Sequence, residues 1–259
     1  MVPAIAVYVA YLQRHAKKPT AGDVRKINRL LKWITTNVVR LGVRFVALNM
    51  QEVRLAVISD SAFHAMEFEG LAMRGCIIML IEATDGYPAT GNEYKCVMLD
   101  WYSRKQNNIV RSTYAAELMA LLDALGAGTL LNVAWTEIID GVNTSQEMLA
   151  KQEKGKLVFN MDACIDAKAV FDAVTAETVK ITTDKKMYVP TLAVREQLDK
   201  YHLTQLIWID TLDMLSDGLT KGEVDREALI KLSHSCRWKI TGLQPVTFKS
   251  TVIIDSFEC

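Results

Sequence analysis

Disulfide staples, paired metal-binding cysteines, a membrane-length apolar run and a net charge are all missing from this 259-residue chain. Its five cysteines, Cys76, Cys96, Cys164, Cys236 and Cys259, are odd in number and scattered, with no C-x-x-C pair. That excludes a disulfide framework and a zinc ribbon and predicts reduced thiols in an intracellular compartment. Thirty basic residues against thirty acidic ones leave no global field to attract nucleic acid or an anionic membrane, which excludes a histone-like binder. Uninterrupted apolar stretches, such as 76–81, fall far short of the ~20 residues that cross a bilayer, so no membrane partner is expected. The apolar start (MVPAIAVYVAYL) lacks a basic leader and a small-residue cleavage site, and reads as a buried helix rather than a signal peptide. Repeats and low-complexity tracts are absent as well.

What remains is a globular balance, 50% hydrophobic and 23% charged. A chain of this length can bury a real core unaided, as one large domain or two small ones of roughly 100–200 residues each.

The charges are not evenly spread. Between Arg14 and Arg44, nine basic residues face one acid, Asp23, so the rest of the chain is acidic by the same excess. Val24, Ile27, Leu30, Leu31, Ile34 and Val38 recur at helical spacing there, with Asp23 as a plausible N-cap and 19–22 as the break before it. Arg25, Lys26, Arg29 and Lys32 fall on or near the other face, which is either a solvated surface or one that tracks phosphates.

Beyond Gly42 the pattern turns to strands, at 54–59, 74–82 and 96–102, with a turn-rich segment at 83–95. A long helix is predicted from 112 or 113 to about 138, and 140–156 reads as an exposed polar connection. A fourth strand follows at 157–166, helices at 167–174 and 191–201, a fifth strand at 205–209, and a helix from Met214. This order predicts an α/β fold: a five-stranded mixed sheet, three antiparallel strands then two parallel, with flanking helices and an N-terminal helical segment.

Four acids stand where stability alone would not put them. Asp60 and Asp166 each end an apolar strand, and parallel neighbours would bring both carboxylates to the ligand-binding carboxyl edge of the sheet. Glu117 lies on a largely apolar helical stripe with Tyr114, Ala120, Leu121 and Ala124, where a carboxylate is costly without a positive companion. Asp217 opens the last helix; Asp210 and Asp213 crowd it as rival fourth members, and Asp162 competes more weakly with Asp166. Singly, such residues form turns or caps. Together they would repel unless divalent cations bound them, and all-oxygen ligation suits Mg²⁺ or Mn²⁺. Two such ions roughly 3.5–4 Å apart can activate a water and stabilise a leaving 3′-oxygen.

The segments SDSAF, RKQNNIVRSTYAAELMALLDAL, CIDAKAVFDAV and WIDTLDMLSDGLTKG resemble the ribonuclease H domain of copia-type retrotransposon polyproteins. The upstream stretch IAVYVAYLQRHAKKPTAGDVRKINRLLKWI resembles the tail of the reverse transcriptase, and the likeness spans roughly residues 4–232. It implies an RNase H-like fold over 51–235, a helical segment over 1–50 and a C-terminal tail over 236–259. It also implies a metal quartet of Asp60, Glu117, Asp166 and Asp217, holding two Mg²⁺ ions with Mn²⁺ as a substitute and Asp60 bridging both. The Y-x-D-D polymerase motif is absent, the polar stretches 83–95 and 140–156 are longer than usual for the family, and 210–214 carries no histidine.

The expected activity is endonucleolytic cleavage of the RNA strand of RNA–DNA hybrids, recognised by minor-groove shape and 2′-hydroxyls. Arg25, Arg29 and Lys32, with Lys105, Gln106, Asn107, Asn108 and Arg111 ahead of the catalytic helix, are the candidate backbone contacts. The rest of a reverse transcriptase is a further expected partner, and the setting is cytoplasmic or nuclear, or a virus-like particle if the element is active. One alternative is a non-catalytic remnant that binds nucleic acid or serves structure, against which the intact quartet argues. Transposases and integrases of the same fold place their Glu last, whereas here it is second.

Overall fold

The computed structural model describes residues 2–63, 72–84, 86–107, 109–178 and 184–246. Strands β1 (Val53–Ala62) and β2 (Met73–Glu82) are buried on both faces for most of their length, so both carry continuous apolar stretches, 55–58 and 75–81. They pair antiparallel, and β2 pairs likewise with β3 (Glu93–Lys105), where a bulge interrupts the register beside Ile78 and Met79. On its other side β1 takes β4 (Asn160–Ile165) in parallel, and β4 takes β5 (Gln205–Ile209) in parallel. The expected pairing of the Asp60 and Asp166 strands is therefore present.

The sheet exceeds the expected five strands. β6 (Arg237–Lys239) adds to β3 and β7 (Leu243–Val246) to β5, giving the order β6-β3-β2-β1-β4-β5-β7. These additions are three and four residues long, and one contains Pro245. A proline is tolerated on an edge strand because nothing beyond it needs the missing N–H. Runs this short carry no readable alternation, and only their neighbours fix them.

Helices cover both faces. Leu55 and Val57 point into a core shared with Leu118, Leu121 and Leu125 of α3 (Thr113–Asp140). Val170 and Phe171 of α5 (Lys168–Thr175) and Val194 of α6 (Tyr188–Asp199) complete it. Gly128 lets α3 lie close, since a Cβ there would stand 2.6 Å from Val57 Cγ2. By length and composition α3 could cross a membrane, but its buried side chains pack on this sheet. Ala56 and Ile58 point the other way, toward Leu219 of α7 (Asp217–Thr220) and Leu229 and Leu232 of α8 (Glu227–Ser235).

Helix α4 (Ser145–Glu153) occupies the stretch 140–156 expected to be an exposed connection. Thr144 and Glu147 close it with a reciprocal capping box, while only Met148 is buried, so no apolar stripe announced it. At the N-terminus, α1 (Ala6–His15) packs inward: Ala6 joins the α7-side core and Val7 is fully buried. α2 (Ala21–Asn37) is capped by Thr20, with Asp23 at the third helical position rather than at the cap. Asp23 is its one buried residue, so most of the predicted apolar face, including Val24, Ile27 and Leu31, is exposed.

Candidate functional site

Asp60 lies inside β1, two residues short of its end, and is 1% exposed. Its opposite number on β2 is Gly75. A Cβ at Gly75 would stand 2.8 Å from both Leu219 Cβ and Thr220 Cγ2 and 3.0 Å from the Ser216 carbonyl. Glycine there lets α7 press onto the sheet, and the Thr220 hydroxyl donates to Asp60 as a result. Asp166 follows the last residue of β4 on the parallel neighbour, and its carbonyl accepts from Trp208 Nε1 at 2.9 Å. Asp217 opens α7. One carboxylate oxygen each from Asp60, Asp166 and Asp217 lies within 4.8 Å of the others.

Glu117 comes from the first turns of α3, whose N-terminus is fixed by Ser112 accepting from the Ala115 amide at 3.1 Å. Its carboxylate accepts from the Ser61 amide and feels the charges of Asp60 and Asp166. Buried Gln106 braces this junction by donating to the Ala116 carbonyl at 2.7 Å, while Ser61 Oγ donates to the Met73 carbonyl at 3.0 Å.

Burial dominates the electrostatics, because a carboxylate away from water favours its proton. It pushes Asp60 up to about 7; Lys221 pulls back, while Asp217 and Asp166 add to the rise. Glu117 is pushed up to about 10, first by burial and then by Asp60 and Asp166. Asp166 is raised by burial and by Asp217. The cation they share is Lys221, whose ammonium pairs with Asp217 and stands 3.7 Å from Asp60 Oδ1. Burial pulls the lysine down, but the surrounding carboxylates outweigh it and leave it raised.

The rival acids are occupied elsewhere. Asp213 accepts from the Thr241 amide at 2.6 Å and the Gly242 amide at 3.1 Å. Asp210 caps a short turn through the Leu212 amide at 2.9 Å. Asp162 is fully buried and paired with Arg54, whose Nε lies 2.6 Å from its Oδ2. Of the candidate backbone contacts, Arg25, Arg29 and Lys32 are exposed on α2, whereas Lys26 donates to the Tyr11 hydroxyl at 2.6 Å. Lys105 ends β3, Asn107 and Arg111 are exposed between β3 and α3, and Asn108 lies outside the described residues. Gln106 is buried and structural rather than available to a ligand.

Sequence reasoning passed over Lys221, Thr220 and Gly75. The signals were an Asp-to-Lys spacing of four within DGLTKG and a glycine inside an apolar strand.

No family model and no curated protein matches the chain. Among solved structures, the N-terminal RNase H domain of rv2228c from Mycobacterium tuberculosis, determined as a fusion with maltose binding protein, is similar with a TM-score of 0.37 and 13% identity. The match covers 65% of this chain and 91% of that one. The chain's own architecture is a mixed sheet with helices on both faces and an acidic cluster at one edge.

Proposed function

We propose that this chain is a metal-dependent endoribonuclease of the ribonuclease H type, cutting the RNA strand of RNA–DNA hybrids, with a copia-type retrotransposon ancestry. The observation that carries the reading is the convergence of Asp60, Asp166 and Asp217, from three separate segments, with Glu117 beside them. The donor set fits hard divalent cations: every donor is a carboxylate oxygen, and burial leaves two of them holding protons far above their ordinary range. Asp60, Glu117, Asp166 and Asp217 would hold two Mg²⁺, or Mn²⁺ in their place. When bound, the ions supply the charge that activates water and steadies a departing 3′-oxygen.

The chain's own residues set the stage for this. Thr220 and the Ser61 amide orient Asp60 and Glu117, Gly75 admits α7, and Gln106 holds the strand end against α3. The polar group at Lys105, Asn107 and Arg111, on the approach to α3, suits contacts to the hybrid backbone. Arg25, Arg29 and Lys32 on α2 would hold the duplex farther along. The uncovered apolar residues Val24, Ile27 and Leu31 support the further reading that α2 also meets another part of a reverse transcriptase.

A labelled RNA–DNA hybrid, incubated with the full chain in Mg²⁺ and then with EDTA, tests the reading. Cleavage is expected only with metal. Asp166→Asn is expected to lower the rate by more than about a hundredfold, the most that loss of an outer-sphere partner costs. Hybrid binding without cutting in either Mg²⁺ or Mn²⁺ would favour the non-catalytic remnant instead.

A further inference from the structure

The acidic pocket carries its own cation. Lys221 lies one helical turn beyond Asp217 and pairs with it, and its ammonium reaches to 3.7 Å from Asp60 Oδ1. Its charge is felt at Glu117 and Asp166 as well, so one ammonium serves all four acids. The backbone beneath it is fixed. Arg226 donates to the Lys221 carbonyl and also to the carbonyls of Gly218 at 3.1 Å and Val224 at 2.8 Å. Arg226 is itself tied to the Tyr8 hydroxyl at 2.9 Å.

The side chain is the movable part. It is 34% exposed, and a lysine is a compact charge on a flexible four-carbon stem. The head can leave for water while the stem stays rooted, without unpacking α7. With the head in place, part of the negative charge on the Asp60–Asp217 side is already answered, and a second positive charge there meets repulsion at close range.

We propose that Lys221 is an internal counter-ion that competes with divalent metal for the Asp60–Asp217 side of the pocket and so sets its metal affinity. The inference rests on the nuclease reading and concerns this chain's own lysine. Without metal the ammonium keeps the clustered acids together; uptake of the ion expels it toward solvent. Affinity is given up in exchange for a pocket that stays folded when empty.

The test is a Mn²⁺ titration of the full chain, with free Mn²⁺ counted by electron paramagnetic resonance. Wild type is compared with Lys221→Met, which keeps the stem and loses the charge, and with Lys221→Arg, which keeps a charge. The methionine variant is expected to bind Mn²⁺ about tenfold more tightly, within the 5–150-fold span typical of coupled sites. It should also show a larger metal-dependent rise in melting temperature, while the arginine variant stays near wild type. Should the methionine variant fail to fold in EDTA, Lys221→Gln is expected to move the affinity in the same direction. Equal or weaker Mn²⁺ binding by the uncharged variants overturns the proposal. So does unchanged metal binding with lost hybrid affinity, which would make Lys221 a phosphate contact. If neither wild type nor any variant binds Mn²⁺, the nuclease reading fails first and takes this inference with it.

Discussion

Asp60 and Glu117 sit among like charges with little water, and the fold makes them hold protons that an unfolded chain would release. They ionise at about 7 and about 10 in the fold, against ordinary values of 3.8 and 4.5. Between those limits the folded state binds more protons than the unfolded one, so stability falls as pH rises. Asp60's share is complete below about pH 4 and is lost as pH climbs through about 7, whereas Glu117's share is lost only as pH climbs through about 10. In EDTA, the melting temperature is therefore expected to drop between about pH 5 and about pH 8. Asp60→Asn should lessen that drop and leave the share due to Glu117, and Mg²⁺ should largely abolish it. A melting temperature that rises over the same interval would contradict the assignment. The four acids were legible because a carboxylate on an apolar stripe or at the end of an apolar strand has a cost that something must offset. Lys221 was not, because an Asp followed four residues later by a Lys usually marks nothing more than a solvated helical turn.

Among the elements, α7 depends on a single missing side chain. Gly75→Ala would put a Cβ 2.8 Å from two α7 side-chain atoms and 3.0 Å from the Ser216 carbonyl, and backbone yields less readily than a side-chain tip. The expected loss is about 1–3 kcal/mol in denaturant unfolding, the usual cost of overpacking. Weaker Mn²⁺ binding should accompany it, because Asp217 and Thr220 move with the helix. Unchanged stability together with unchanged binding would mean that the approach is looser than it looks. Long strands such as β1 and β2 could be read from apolar runs, and α3 from its length and its serine cap. The short elements could not. α4 displays its Thr144–Glu147 box openly but buries so little that it passes for a polar connection. β6 and β7 are strands only because β3 and β5 offer them an open edge.

At the scale of the whole molecule, the sequence conveyed the topology well: three antiparallel strands, then two added in parallel, bringing Asp60 beside Asp166. It conveyed less about α2, whose apolar spacing promised a buried face that is mostly uncovered. The positive charge gathered there is offset by an acidic excess over the rest of the chain, and hybrid binding should register it. Replacing Arg25, Arg29 and Lys32 together by Gln should reduce the slope of log affinity against log salt by about 2–3, close to one per lost phosphate contact. Sequence discrimination should stay the same, because backbone contacts carry no base information. A slope equal to that of wild type would remove α2 from the binding surface.

The loop after β5, which bears Asp213, Asp217 and Lys221, is braced from both ends of the chain. Tyr8 of α1 donates to the Gly222 carbonyl at 2.8 Å, and the turn at Thr241 and Gly242 grips Asp213. A fragment trimmed to 51–235 retains Asp60, Glu117, Asp166 and Asp217 yet severs both braces. Its Asp217 and Lys221 are therefore expected to be less firmly placed than in the 259-residue chain.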